Sequence, residues 1–502
     1  MALEKVFNNR ILLADLTTGK CEERELGDKL AREQLGGAAL NLELLRRFPE
    51  GEPLVIGTGL LTSTFCPGAG VGVVTAKSPR SGLVVHHPFI GMIGIELKLS
   101  GFDFIVVRGR SEKPVRLWLH DELAEVSPAG EVKELGTNQV TGRIRDEYGD
   151  MNIHAFQVGP AGAAGSPLAM ISESCFGGYD RAGLGLALAE KGLYALVVRG
   201  LGNLEVADGF FPESAKLMQE TAQSLKGKTG IKEILRLWAK EDSFLPALEK
   251  VTHRHSACYS CPFPCRTFGF LREDPARKLE TDASNPGCLL IDPQGVLALS
   301  FLGNDYPHVY EHCTQLGVDP AAVGLMLKAE GIGDKEAADK WIEALVKEKK
   351  DLINSNQNNF HGVTPWPDGG DLSAALVQAA GVFSNGIPPA VLPLSTPPFS
   401  LPSDPVEKAA LVLERTALGL ILGVCPLLLL STPVITPARL ATLVKLATEW
   451  DGIGEEELKA KAKSLIGQTL KLAAPREAIS EGLKPAGFDA AWAGLKKRYV
   501  EG

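Results

Sequence analysis

The chain is poor in the features that would send it out of the cell or onto nucleic acid. Aromatic residues fill only 6% of its 502 positions, and no basic run exceeds a few residues. With 52 Lys+Arg against 61 Asp+Glu the balance is mildly acidic, so nucleic acid is not an expected partner. Nine cysteines, at 21, 66, 175, 258, 261, 265, 288, 313 and 425, are odd in number and irregular in spacing, unlike a secreted disulfide framework. The opening MALEKVFNNR lacks the apolar core of a signal peptide, so a reducing cytoplasm is the expected compartment. No membrane span is expected either. Arg415 and Arg439 enclose 23 uncharged residues, but the mainly apolar part, 417–430, is 14 long and holds Pro426. That is short for a bilayer and predicts a buried core helix ending near a cysteine.

What is present is glycine (54) and proline (32), with the glycines concentrated in the first 200 residues. Such a length should bury a large core and divide into two or three domains. The most informative stretch is His255-Ser-Ala-Cys258-Tyr-Ser-Cys261-Pro-Phe-Pro-Cys265, with C-x2-C-x3-C spacing. Thiolates are soft ligands, so one short loop of three suits iron–sulfur or zinc rather than a hard cation. In iron–sulfur proteins a fourth cysteine often comes from far along the chain. A zinc knuckle would instead be completed by His253 or His255, and unligated thiols are a third reading. Pro262 and Pro264 restrict the loop backbone, which suits a fixed ligand cage.

Along the chain, Ile11 to Leu16 followed by Thr-Thr-Gly-Lys reads as a strand entering a hairpin. Gly36-Gly37 precedes a helical pattern through Asn41 to Arg47. Pro53 to Gly57 is a buried strand, and 67–79 reads as a glycine-rich loop and strand. Further strands end at Val107, around Leu119, near Val158 and at Val198. There is an internal echo: the Val-Val-Arg-Gly units at 106 and 197 are 91 residues apart, each after a glycine-bearing segment. Two related half-domains would produce it, as would chance between short apolar strands. From about residue 207 the periodicity turns helical, over Phe211–Lys226, Ile231–Lys240, Tyr306–Leu316, Pro320–Glu330 and Asp334–Lys350. Asp319-Pro320 places a capping residue before a proline at the first helical position. Residues 386–405 carry seven prolines and predict a long irregular connection.

The order of these motifs resembles the tungsten-containing aldehyde ferredoxin oxidoreductase family, over roughly residues 5–330. The resemblance rests on Gly36-Gly37, Gly57-Thr-Gly-Leu-Leu-Thr-Ser-Thr64, Lys77-Ser-Pro-Arg-Ser-Gly82, the segment 91–103, Val158-Gly-Pro-Ala-Gly162, Asp180-Arg-Ala-Gly-Leu-Gly185 and the cysteine loop. It implies an α/β multi-domain chain: an N-terminal β-rich domain (1–206) with pseudo-twofold halves cradling two pterins, then two mainly α-helical domains (207–385 and 386–502). A tungsten (or molybdenum) bis-pterin and a [4Fe–4S] cluster are the implied cofactors. Cys258, Cys261 and Cys265 would hold the cluster, with Cys425 as the distant fourth ligand. Lys77, Gly91, Gly94, Arg181, Gly183, Gly185 and Asp319 fall at pterin-binding positions. Arg181 and the glycine-rich turns would supply the cation and N–H donors that phosphate needs; glycines that merely permit tight turns are the plainer reading. Glu280 matches the active-site glutamate, a base or proton acceptor in aldehyde oxidation.

The sequence also departs from the family pattern. Gly70-Val71-Gly72 stands where the family has an arginine, the motif ending at Asp319 lacks its leading acid, and Leu420 stands where another acid is expected. The substrate-pocket histidine has no counterpart. Two functions are therefore weighed. One is an enzyme oxidising an aldehyde to the acid and passing electrons to ferredoxin or a partner iron–sulfur subunit. The other is an electron-transfer or scaffold subunit of a redox complex that keeps the cluster without a working metal–pterin site. A homodimer or a place in a larger redox complex is expected from the resemblance.

Overall fold

The computed structural model describes residues 5–130, 132, 135–174, 177–239, 241–269, 288–290, 292–348, 371–383, 390–472 and 484–501; at 288–290 and 348 it describes backbone alone. The first 200 residues build two mixed sheets. One runs β2-β1-β6-β3-β4-β5, from β1 (Arg10–Asp15), β2 (Lys20–Glu25), β3 (Leu54–Thr58), β4 (Gly72–Lys77), β5 (Val84–Phe89) and β6 (Phe104–Arg108). The other runs β10-β9-β11-β7-β8, from β7 (Val115–His120), β8 (Leu123–Pro128), β9 (His154–Val158), β10 (Ile171–Glu173) and β11 (Leu193–Arg199).

Five strands of the first sheet repeat the topology of the second, with β5 added at the edge. In the first, β1 pairs antiparallel with β2 and parallel with β6, and β3 joins β6 antiparallel before β4. In the second, β7 pairs antiparallel with β8 and parallel with β11, and β9 joins β11 antiparallel before β10. Even the helices correspond: Gly37–Arg47 and Thr137–Tyr148 follow the hairpins, while Ile93–Leu99 and Leu184–Glu190 precede the last strands. The Val-Val-Arg-Gly echo is thus the paired end of β6 and β11, and the expected pseudo-twofold halves are present.

Alternation along the first sheet assigns its two faces. Leu12, Ala14, Leu54, Ile56, Ile105 and Val107 pack towards the second sheet, joined by Leu117, Leu119, Phe156, Leu196 and Val198. The intervening Ile11, Leu13, Val55, Phe104 and Val106 pack on the helices Gly37–Arg47 and Pro405–Leu422. Because both faces are covered, these strands read as continuous apolar runs, and β3 is buried throughout.

The remainder is mainly helical. A third core gathers residues from Ile231 to Val346 around Tyr306, Tyr310 and Cys313. The expected helices fall at Phe210–Ser224, Tyr306–Leu316, Pro320–Ala329 and Lys335–Glu348. The remaining expectation, Ile231–Lys240, contracts to Lys232–Leu235, where Gly230 packs against His255. A small sheet, β12 (Thr252–Ser256), β13 (Arg266–Gly269) and β14 (Cys288–Leu290), interrupts the helices. Helix Pro405–Leu422 ends at Gly423 in left-handed geometry, and Cys425 then opens Pro426–Ser431. Among the described residues, no helix is long and apolar enough to cross a membrane.

Candidate functional site

The cysteine loop is the connection of a hairpin. β12 and β13 pair antiparallel up to Ser256 opposite Arg266, so residues 257–265 project from the end of a rigid ladder. Cys425 comes from a segment far along the chain, where it precedes Pro426–Ser431, and a backbone relay joins the two. Gly68 donates its N–H to Ser260 O (2.6 Å), and its carbonyl accepts the Cys425 N–H (2.9 Å). The helix bearing Cys425 can come this close because glycine lies beneath it. A β-carbon on Gly37 would overlap the Leu420 carbonyl, and one on Gly59 would overlap the Gly423 backbone. The Gly36-Gly37 and Thr58-Gly59 motifs therefore dock a helix end.

Cys258, Cys261 and Cys265 are half-buried and Cys425 is buried, all as free thiols. Burial pushes all four thiols up, Cys425 to about 12, and for Cys261, Cys265 and Cys425 neighbouring thiolates of the same set push further. Deprotonation in this pocket requires positive charge, and one guanidinium, Arg266, acts on all four. No group of three or more His, Cys, Asp or Glu among the described residues is drawn in as if around a single ion. The four thiols are near enough to act on one another's charge, and four is the number of thiolates that a [4Fe–4S] cluster takes. The histidines of the zinc reading are engaged elsewhere: His255 with Thr267 Oγ1 (3.2 Å) and His253 against the Phe268 ring.

Beside the thiols, the facing edges of the two sheets contribute a set of buried polar side chains. Gly91 has φ 107°, and a β-carbon there would lie 3.8 Å from Glu173 Oε2 and 3.9 Å from Arg266 Nη1. Glu173, on β10, accepts from the Ile90 N–H at 3.2 Å. Burial raises its carboxyl to about 8, against the pull of that N–H and of Arg266. Tyr179 donates to Pro88 O (3.0 Å) and packs on the His87 ring. Burial, then Glu173, Cys425 and Cys258, hold its hydroxyl well above the usual phenol range. His87 is kept neutral by burial and by Arg181, its pKa lowered to about 3.

Arg181 occupies a different environment. Its side chain is fully buried, with Nη2 on Asp292 and Nη1 2.8 Å from Asp319 Oδ1 in ion-pair contact. Arg80 adds an ion pair to Asp319 (3.4 Å) and donates to Arg181 O (2.6 Å). Asp180 accepts from the Ala182 and Leu184 N–H groups, and burial raises its carboxyl to about 6. Burial works to strip the Arg181 charge, but Asp292 and Asp319 more than offset it. Two guanidiniums therefore face three carboxylates, and no positive charge is left over for a phosphate. These residues do not fit a pterin phosphate as they stand.

The other expected residues scatter. Asp319 caps Pro320–Ala329, accepting from Ala321 and Ala322. Gly94 lies against the Gly72 backbone, Gly183 against Pro167 and Arg80, and Gly185 against Met170, all close-packing roles. Lys77 ends β4 in an exposed position. Gly91 alone of this set borders the thiols. Glu280 lies outside the described residues. Sequence reasoning missed Glu173, Tyr179 and the role of Arg266. Only Arg266 carried a signal, its place directly after Cys265.

The architecture is a two-sheet α/β base joined to helices, with the cysteine hairpin and Cys425 tied together through Gly68. Residues 11–200 match the aldehyde ferredoxin oxidoreductase N-terminal domain. The chain is 28% identical over 298 residues to a tungsten-containing aldehyde ferredoxin oxidoreductase of Pyrococcus abyssi, covering 52% of this chain and 49% of that protein. It is 34% identical over 207 residues to one from Thermococcus kodakarensis, covering 40% and 34%. The WOR-like subunit of an aliphatic sulfonate oxidoreductase from Pyrococcus furiosus is 26% identical over 355 residues, covering 59% and 56%. The matches thus span about half or less of the first two relatives. Among solved structures, the active-site complex BamBC of benzoyl coenzyme A reductase superposes with a TM-score of 0.75 at 17% identity, covering 99% of this chain and 94% of that one. That likeness is one of fold.

Proposed function

We propose that the chain is an oxidoreductase subunit in which Cys258, Cys261, Cys265 and Cys425 hold a [4Fe–4S] cluster. The observation that carries the reading is the Gly68 relay, which ties the cysteine hairpin and Cys425 to one backbone group. When bound, such a cluster supplies one-electron transfer. The residues around Gly91 would line the place where a substrate is converted next to it. By likeness to the tungsten-containing relatives, the substrate class would be an aldehyde and the centre a tungsten (or molybdenum) bis-pterin, whose phosphates would need donors other than Arg181. Oxidising an aldehyde to the acid takes one oxygen from water and releases two electrons and two protons. Glu173, its carboxyl raised to about 8 by burial, would face the substrate mainly as a neutral acid and hydrogen-bond donor near neutral pH. Electrons would leave to ferredoxin or an iron–sulfur partner subunit. Phe65 and Phe211, both exposed with rings 5.1 Å apart, and Tyr259, 6.2 Å from Phe65, form the neighbouring apolar face for such a partner.

The engaged state of Arg181 favours a second reading, an electron-transfer subunit that keeps the cluster without a working metal–pterin site. Metal analysis of protein purified without oxygen separates the two. About one tungsten or molybdenum with about four iron, and aldehyde-dependent dye reduction, support the enzyme. Iron without tungsten or molybdenum supports the electron-transfer subunit. Zinc without iron overturns both.

A further inference from the structure

Arg266 is a cation without a matching carboxylate. Among the described residues it makes no ion pair within 4.0 Å, in contrast to Arg80, Arg116, Arg181 and Arg199. Its Nη2 is fixed by Ala257 O (2.9 Å), the residue before Cys258, and lies 3.4 Å from Ser256 Oγ. Nη1 points to the Gly91 and Glu173 side. Nε is buried and has no hydrogen-bond partner. A buried N–H left without an acceptor costs about 1–3 kcal/mol, and this guanidinium, pinned to the residue before Cys258, lies near enough to act on all four thiols.

We propose that Arg266 is the positioning residue that answers the charge of the cluster and raises its reduction potential. The inference rests on the four-cysteine reading above. Four thiolates around an oxidised [4Fe–4S] core leave a net charge of about −2, and one-electron reduction makes it about −3. A fixed cation beside the cluster stabilises the reduced form more than the oxidised one, and low local dielectric strengthens the effect. Hydrogen bonds to cluster sulfurs act in the same direction, and both are levers by which proteins set such potentials. Because β13 begins at Arg266, the ladder that fixes the loop also fixes the cation.

The test uses the full chain purified without oxygen, as wild type, Arg266→Gln and Arg266→Lys. Iron and sulfide are counted, and the cluster is titrated with dithionite as one-electron donor while the reduced form is followed by electron paramagnetic resonance. All three proteins should keep their iron. Arg266→Gln should shift the reduction equilibrium against the reduced form by about tenfold or more, ~59 mV for one electron. Arg266→Lys, which keeps the charge, should move it by less than half as much. A Gln variant with the wild-type potential, or a Lys variant that falls as far as Gln, overturns the proposal. Loss of iron from the Gln variant also overturns it, because Arg266 would then be an anchor for the loop. Wild-type protein without iron would instead defeat the four-cysteine reading itself.

Discussion

Two arginines sit inside this molecule next to residues that the sequence marks as functional, and their surroundings differ. Arg181 is enclosed by Asp292 and Asp319, with Arg80 and Asp180 close by, so its charge is consumed within the fold. Arg266 has only a carbonyl and a hydroxyl as partners and keeps a buried N–H free of acceptors. Each keeps one buried guanidinium nitrogen without a hydrogen-bond acceptor, Nη1 in Arg181 and Nε in Arg266, so what separates the two sites is charge. Arg181 is neutralised by carboxylates, and Arg266 has none within ion-pair distance among the described residues.

The largest effect expected from this contrast is at Cys425. Cys425→Ser should reduce iron from about four per chain to near zero while leaving the far-ultraviolet circular dichroism unchanged, because Pro426–Ser431 and the Gly68 relay use only backbone. Unchanged iron would place the fourth ligand elsewhere. At the other arginine the loss should be one of stability. Arg181→Met leaves Asp292 and Asp319 buried and short of a cation, and such breaks cost about 3–5 kcal/mol, readable as a lower urea midpoint. A cost under about 1 kcal/mol would show that the carboxylates are not held by Arg181, and the contrast would fail.

Glu173 gives a smaller, pH-dependent effect. Its folded pKa is raised by burial from 4.5 to about 8, so the folded state binds the proton more tightly than the unfolded chain. Stability from this group is fully present below pH 4.5 and is lost as pH rises to about 8, at roughly 1 kcal/mol per pH unit. Denaturation of Glu173→Gln should show a flatter profile across that window; parallel profiles would remove Glu173 from the buried site. Lys77→Ala should do least. The side chain is exposed, and a change within about 0.5 kcal/mol with unaltered iron is expected. A loss of bound metal would return Lys77 to the role that its position in the motif implied.

Much of the architecture was legible because it repeats simple patterns. The Val-Val-Arg-Gly echo marks β6 and β11, and the Asp319-Pro320 pair caps its helix with side-chain contacts to Ala321 and Ala322. The C-x2-C-x3-C spacing located the loop, and the uncharged stretch before Cys425 resolved into a buried helix closed by Gly423. What sequence could not supply was which charges meet. Asp292 lies 111 residues from Arg181, and no local pattern shows that it cancels the arginine that the motif offered for phosphate. Glu173 is a lone acid at the end of a short strand, and only the fold brings it to Gly91 and Arg266. Likewise Gly37 and Gly59 stood out only as members of glycine motifs, and it is the fold that shows their missing β-carbons making room for the end of helix Pro405–Leu422.

The central claim is that four cysteines from two distant segments hold one [4Fe–4S] cluster. The most direct test is the electron paramagnetic resonance spectrum of dithionite-reduced protein, purified without oxygen and quantified against iron. The account predicts a reduced [4Fe–4S] signal of about one spin for about four iron per chain. Protein that carries zinc, or no metal, and gives no such signal would contradict it.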